Sequence, residues 1–331
     1  MKIFKKILSI LFIGLCILLI YLIIFSYKAE GKKSSNRIPK NKDYSYEIYD
    51  DYLIDSLELL GFSNLENEEK IEPIIINYDW EEENSIDIEK IKNEIYDYLD
   101  SNNIPLDLIG ISFYDVTSDR GFGINENELF LAASTMKVPI NVYTYDIVNK
   151  KGLSLSRIMN YNKNNFEEGT GVIQFDKFGS IYSLKDILRL SITESDNVAT
   201  NMLYGLLGWY GGYYLLDQLH DYYGISSTKG NYISPKEALK MLIRVYDGRY
   251  DSYKLLYNDM ANTVYNEYAT FYFNDDKGVH HKTGDYDGYY NDIVIVEGEN
   301  TFIFTIYTNN IDSPIETLQD LGEIIYDNSK R

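Results

Sequence analysis

Strand-like runs stand at both ends of the segment that begins near Ile86, and helical periodicity fills the long stretch between them. Ile88, Ile91, Ile95 and Leu99 recur at helical spacing over Ile86–Leu99. Leu106–Val116 then reads as a strand, with a turn at Ser118–Gly123 leading into a second. At the far end, Asn291–Val296 and Thr301–Tyr307, joined by Glu297–Asn300, form a hairpin signal. An amphipathic helix over Pro314–Tyr326 follows, and the middle from about Ser134 to Asn262 is rich in helical patterns. Strands and single helices at both ends thus bracket a helical insertion. The expected fold is α+β, an antiparallel sheet flanked by N- and C-terminal helices plus an all-helical lobe.

Ahead of this domain, Ile7 to Tyr27 is almost uninterrupted Ile, Leu and Phe. About 21 residues at ~1.5 Å rise span roughly 30 Å, the thickness of a bilayer's hydrocarbon core. No small-residue cleavage site follows, so residues 1–27 are expected to be an uncleaved transmembrane anchor. Residues 28–85 read as a charged spacer with room for short helices, and 86–331 as the folded domain. Lys28, Lys32, Lys33 and Arg37 outnumber Lys2, Lys5 and Lys6, so charge bias alone would keep the domain inside. The chemistry below places it outside. A formal net charge of −20 repels phosphate backbones and argues against nucleic-acid binding. The only cysteine, Cys16, lies in the apolar run, so the domain has no disulfide, thiol nucleophile or cysteine metal site; no cofactor is expected.

Three short motifs carry chemistry. In Ser134-Thr135-Met136-Lys137, at the start of an expected helix through Val138–Val148, residues i and i+3 share a face. A desolvated lysine amine beside another cation can lose its proton and then activate a serine hydroxyl. At a helix N-terminus the Ser134 N–H is also available to an oxyanion. Ser195-Asp196-Asn197 falls between the helix-like runs Leu184–Thr193 and Val198–Leu207, where Ser195 can pass a proton and Asn197 can hold an amide or position Lys137. Lys282-Thr283-Gly284 precedes Asn291–Val296. There Gly admits close backbone approach, Thr offers a hydroxyl, Lys attracts a carboxylate and the Asp285 N–H is a second oxyanion donor. Taken singly, each motif also has a plain structural use: helix cap, helix start, turn.

In this order the three motifs form the signature of class A β-lactamases and penicillin-binding proteins. With Phe130–Ile140, Glu168–Gly171 and Gly288–Val296, they make the chain resemble the class A β-lactamase-like serine hydrolases over about Ile86 to Asp327. The resemblance implies a two-lobe fold with the site between the lobes. It casts Ser134 as the acylated nucleophile, Lys137 as its base or relay and Ser195 as a proton shuttle. Asn197 would orient, while Lys282 and Thr283 would bind the substrate carboxylate.

One departure is chemical. The family carries a deacylating Glu on an Ω-shaped loop after the Ser-Asp-Asn motif, whereas the only glutamates between Ser195 and Lys282 are Glu237 and Glu267. Glu237 belongs to Ser234-Pro235-Lys236-Glu237, a capping box with Pro at the first helical position, and Glu267 comes well after that helix. A positioned general base contributes about 10²–10⁴-fold, so β-lactam turnover is expected to be slow. Asp285, in a place usually held by a small residue, also weakens the pull of Lys282 on a β-lactam carboxylate. No Gly-x-Ser-x-Gly elbow accompanies His220, His280 or His281, and no His-Glu-x-x-His exists, which argues against a Ser-His-Asp or zinc hydrolase. The expected partners are a β-lactam or a D-Ala-D-Ala-type cell-wall peptide, and the membrane. A β-lactam hydrolase, a peptidoglycan carboxypeptidase or penicillin-binding protein, and a non-catalytic membrane-bound sensor all remain open.

Overall fold

In a computed structural model of the chain, the described residues are 86–207, 219, 223, 230–273 and 277–330. The expected anchor and spacer, and His220, lie outside them. No helix among the described residues is long and apolar enough to cross a membrane.

The sheet forms as its alternation dictates. Strands β1 (Ile109–Asp115), β2 (Arg120–Ile124), β7 (Val279–Tyr286), β8 (Tyr289–Val296) and β9 (Phe302–Thr308) pair antiparallel in the order β2-β1-β9-β8-β7. Every residue of β9 is buried, because both faces of the sheet are covered. Phe302, Phe304 and Ile306 join the core beneath the terminal helices α1 (Ile88–Ser101) and α7 (Pro314–Ser329), with Ile91, Ile95, Leu318 and Leu321. Ile303 and Tyr307 point the opposite way into the core of the helical lobe. Gly322 lets α7 lie close against the chain, since a methyl group there would overlap the Ala269 carbonyl.

The lobe contains α2 (Lys137–Lys151), α3 (Leu184–Thr193), α4 (Asn197–Leu206), α5 (Pro235–Asp247) and α6 (Lys254–Met260). Ser234 and Glu237 form the anticipated capping box at α5, with Pro235 at its first position. The lobe is not all-helical, however. It holds two two-stranded ribbons, β3 (Phe130–Leu131) with β6 (Tyr232–Ile233), and β4 (Ile158–Asn160) with β5 (Ile181–Ser183). Strands of two or three residues are too short for a two-residue period to register in sequence.

Candidate active site

Ser134 lies where the sheet meets the helical lobe. Ala133–Met136 is a 3₁₀ turn that follows β3 and runs straight into α2. The helix therefore begins at Lys137, one turn later than expected, and Ser134 sits on the tight entry, preceded by Ala133 at φ 49°. The turn is fastened to the sheet behind it. Asn291 Nδ2 on β8 donates to the carbonyls of Leu131 at 2.9 Å and Ala132 at 3.2 Å. Thr135 Oγ1 donates to the Ala132 carbonyl at 2.7 Å and lies 3.1 Å from the Tyr307 hydroxyl on β9. Strand β7 presses on the turn at Gly284. A methyl group there would stand 2.7 Å from the amide nitrogens of both Ser134 and Thr135, and 2.8 Å from the Ala132 carbonyl oxygen. Only glycine fits between the strand and the serine's backbone.

The other two motifs converge on Ser195. This residue takes the left-handed conformation, φ 49°, between α3 and α4. Lys137 Nζ donates to the Ser195 carbonyl, to Ser195 Oγ at 3.2 Å and to Asn197 Oδ1 at 2.8 Å. Lys282 Nζ donates to the same Ser195 Oγ at 3.0 Å and to the Thr283 carbonyl at 2.7 Å. One hydroxyl thus lies between two buried amines. None of Lys137's hydrogen bonds goes to Ser134, whose hydroxyl takes no partner among the described residues.

Burial penalises both ammonium forms. It is the largest influence on Lys137, followed by the positive charge of Lys282, and together they push the Lys137 pKa well below its ordinary 10.5 against the pull of Asp196, Glu167 and Asp285. Burial brings Lys282 down to about 8, against Asp292, Asp285 and Glu267.

Asp196 has a different task. It is fully buried and caps α4: its Oδ1 accepts from the Ala199 N–H at 2.8 Å, while Oδ2 accepts from Val172 at 2.7 Å and Ile173 at 2.8 Å. Gly171, at φ 104°, leaves room for this carboxylate, since a methyl group there would reach within 2.2 Å of it. Thr170 completes the junction: its carbonyl accepts from the Asn197 N–H at 3.1 Å and its hydroxyl donates to the Ser195 carbonyl at 2.7 Å. Asp196→Ala leaves three amide groups without an acceptor, two of them buried, at about 1–3 kcal/mol for each buried one when nothing replaces it. A net loss of about 3 kcal/mol or more in urea denaturation is expected, with site function falling alongside.

Ser134, Lys137, Ser195, Asn197, Thr283 and Asp285 all line one cavity of about 770 Å³, within the size range of ligand sites. Gly284 forms its backing. Lys282 does not reach the cavity surface as the carboxylate contact expected of it: it is fully buried and meets the cavity through Ser195 Oγ. His280 and His281, neighbours on β7, face opposite ways. His280 stacks on Tyr257, its Nδ1 2.8 Å from that residue's carbonyl, whereas His281 lies between Asp292 and Asn266. The structure adds wall residues that no motif marked, including Glu167, Asn201, Tyr204, Asn231 and Tyr265. Only the Glu168–Gly171 stretch gave any signal for that wall.

Comparison with known proteins gives the same frame. A family model described as "Beta-lactamase enzyme family" matches residues 90–329. No curated protein matches. Among solved structures, PBP-A is similar at 22% identity and a TM-score of 0.63, covering 72% of this chain and 94% of its own. A mutant of PBP-A, solved as an acyl-enzyme complex with penicillin G, is likewise 22% identical, with a TM-score of 0.64, covering 72% and 96%. A β-lactamase from Sphaerobacter thermophilus DSM 20745 is 19% identical, with a TM-score of 0.62, covering 74% and 98%. At these identities the structural likeness speaks for the fold.

Proposed function

Because this chain belongs to the β-lactamase enzyme family, a family of serine hydrolases, we propose that it opens amide bonds through an acyl-enzyme on Ser134, with D-Ala-D-Ala-type cell-wall peptides as the turned-over substrate and β-lactams as slowly released ones. The observation that carries the reading is the meeting of three distant motifs at one cavity, with Lys137 and Lys282 flanking the Ser195 hydroxyl. A neutral Lys137 amine takes the Ser134 proton as Oγ bonds to the substrate carbonyl carbon. The N–H groups of Ser134 and Asp285 receive the oxyanion. As the C–N bond breaks, Ser195 delivers a proton to the leaving nitrogen and is resupplied by the amines at 3.0 and 3.2 Å. Thr283 meets the substrate carboxylate at the wall, and Asn197 meets its amide.

The preference for peptide rests on the release step. The family's usual deacylating Glu has no counterpart between Ser195 and Lys282, so release of a β-lactam adduct is left to groups elsewhere in the wall. That a mutant of PBP-A was solved as an acyl-enzyme with penicillin G supports the first half of the chemistry. The domain would act outside the cell, held by Ile7–Tyr27 through the 28–85 spacer. Purified full-length protein is expected to release terminal D-Ala from such a peptide faster than it turns over a chromogenic cephalosporin. Fast cephalosporin turnover without D-Ala release overturns the preference.

A further inference from the structure

The deacylation step needs a base, and the structure offers one from an unexpected direction. Glu167 precedes the Ser195-Asp196-Asn197 motif by 28 residues, on the loop that covers it, and lines the cavity that Ser134 and Lys137 line. Its carboxylate is held: Asn201 Nδ2, one turn along α4 from Asn197, donates to Glu167 Oε2 at 2.7 Å and reaches the Asn165 carbonyl at 3.3 Å. The loop is held as well, through the Thr170 contacts with Ser195 and Asn197. Glu167 also lies near enough to Lys137 to favour its ammonium form, which places a carboxylate within electrostatic reach of the general base of the first step. Its neighbour Glu168 lines the same cavity but has no such anchor among the described residues. A carboxylate that is exposed, oriented by an amide and open to the cavity is suited to hold a water and take its proton.

We infer that Glu167 is the general base of deacylation, reaching the acyl-enzyme from the loop before the Ser-Asp-Asn motif rather than from a loop after it. In this step a water oxygen bonds to the ester carbonyl carbon while Glu167 accepts the water's proton. The tetrahedral adduct then collapses, the bond from that carbon to Ser134 Oγ breaks, and Ser134 recovers its proton from Lys137 or from Glu167. The product is a free carboxylic acid, and no other reactant is required. Asn201 is a positioning residue: it aims the carboxylate without touching substrate.

This inference rests on the acyl-enzyme reading, and the test separates the two. Full-length wild type, Glu167→Gln, Glu168→Gln and Ser134→Ala proteins are mixed with penicillin G, and the intact-mass adduct is followed through its decay. Wild type and Glu168→Gln adducts are expected to form and decay at similar rates. The Glu167→Gln adduct should form at a near-normal rate and persist at least 10²-fold longer. Asn201→Ala should lengthen its life by less, a split between formation and decay that a merely structural defect would not produce. Equal decay of the wild type and Glu167→Gln adducts, a wild type adduct that never decays, or an effect shared by Glu168→Gln overturns the inference while leaving acylation standing. An adduct that fails to form on wild type, or forms equally on Ser134→Ala, overturns the acyl-enzyme reading and this inference with it.

Discussion

Replacing Ser134 by alanine is expected to abolish covalent capture altogether: intact-mass spectra after long incubation with penicillin G should show no adduct, and D-Ala release should fall on the order of 10⁶-fold. The size follows from the cavity, where no second nucleophile stands in the same place. Ser195 is the nearest candidate, but its hydroxyl accepts from two lysine amines and is surrendered to them. Cysteine is absent from the whole domain. The substitution deletes one oxygen atom from a half-buried position, so thermal stability should stay within about 0.5 kcal/mol of wild type. An adduct of unchanged yield on the variant would show that another group attacks.

Lys137→Met should slow acylation by about 10³-fold, measured as the rate of adduct formation, while leaving the fold intact or firmer. The two halves of this prediction have one cause. Burial and Lys282 hold the Lys137 pKa well below 10.5 in the folded protein, so between that depressed value and 10.5 the unfolded chain binds more protons than the native one. The linkage sign is then positive: this residue's contribution to stability rises with pH through that window and is least favourable below it. At neutral pH a buried amine is a stability cost that a methionine of similar length removes, offset by the lost hydrogen bonds to Ser195 and Asn197. Wild type acylation should in turn rise with pH as Lys137 becomes the free amine, and that rise should vanish in the variant. A pH profile unchanged by Lys137→Met would assign the proton to another acceptor.

Most of the sheet was legible in sequence because its strands are long enough to alternate, as β9 does with Phe302, Phe304 and Ile306 against Ile303 and Tyr307. The terminal helices were legible for the same reason: Ile88, Ile91, Ile95 and Leu99 are all buried on one face. The ribbons β3–β6 and β4–β5 were invisible, since two or three residues carry no period. At the site, the residues of the Ser-x-x-Lys and Ser-Asp-Asn motifs were readable by spacing. What could not be read was which lysine faces the cavity and which stands behind it. That depends on β7 lying at the sheet edge against the Ser134 turn, a contact between segments some 150 residues apart. Glu167 was hidden for a similar reason: only the folded loop shows that Asn201 holds it.

The fastening of the Ser134 turn to Asn291, Tyr307 and the Gly284 backbone has a consequence for what the enzyme can learn to accept. A wall with no slack on one side cannot make room for a bulkier acyl group without moving the attacking oxygen. New substrates must therefore be admitted from the opposite bank, where Glu167–Thr170 borders the cavity and Phe166, Val172 and Phe175 already present apolar surface to solvent. Reactivity stays with the Ser134 turn and, on that bank, with Glu167 and Thr170, while selectivity is left to the exposed apolar side chains beside them.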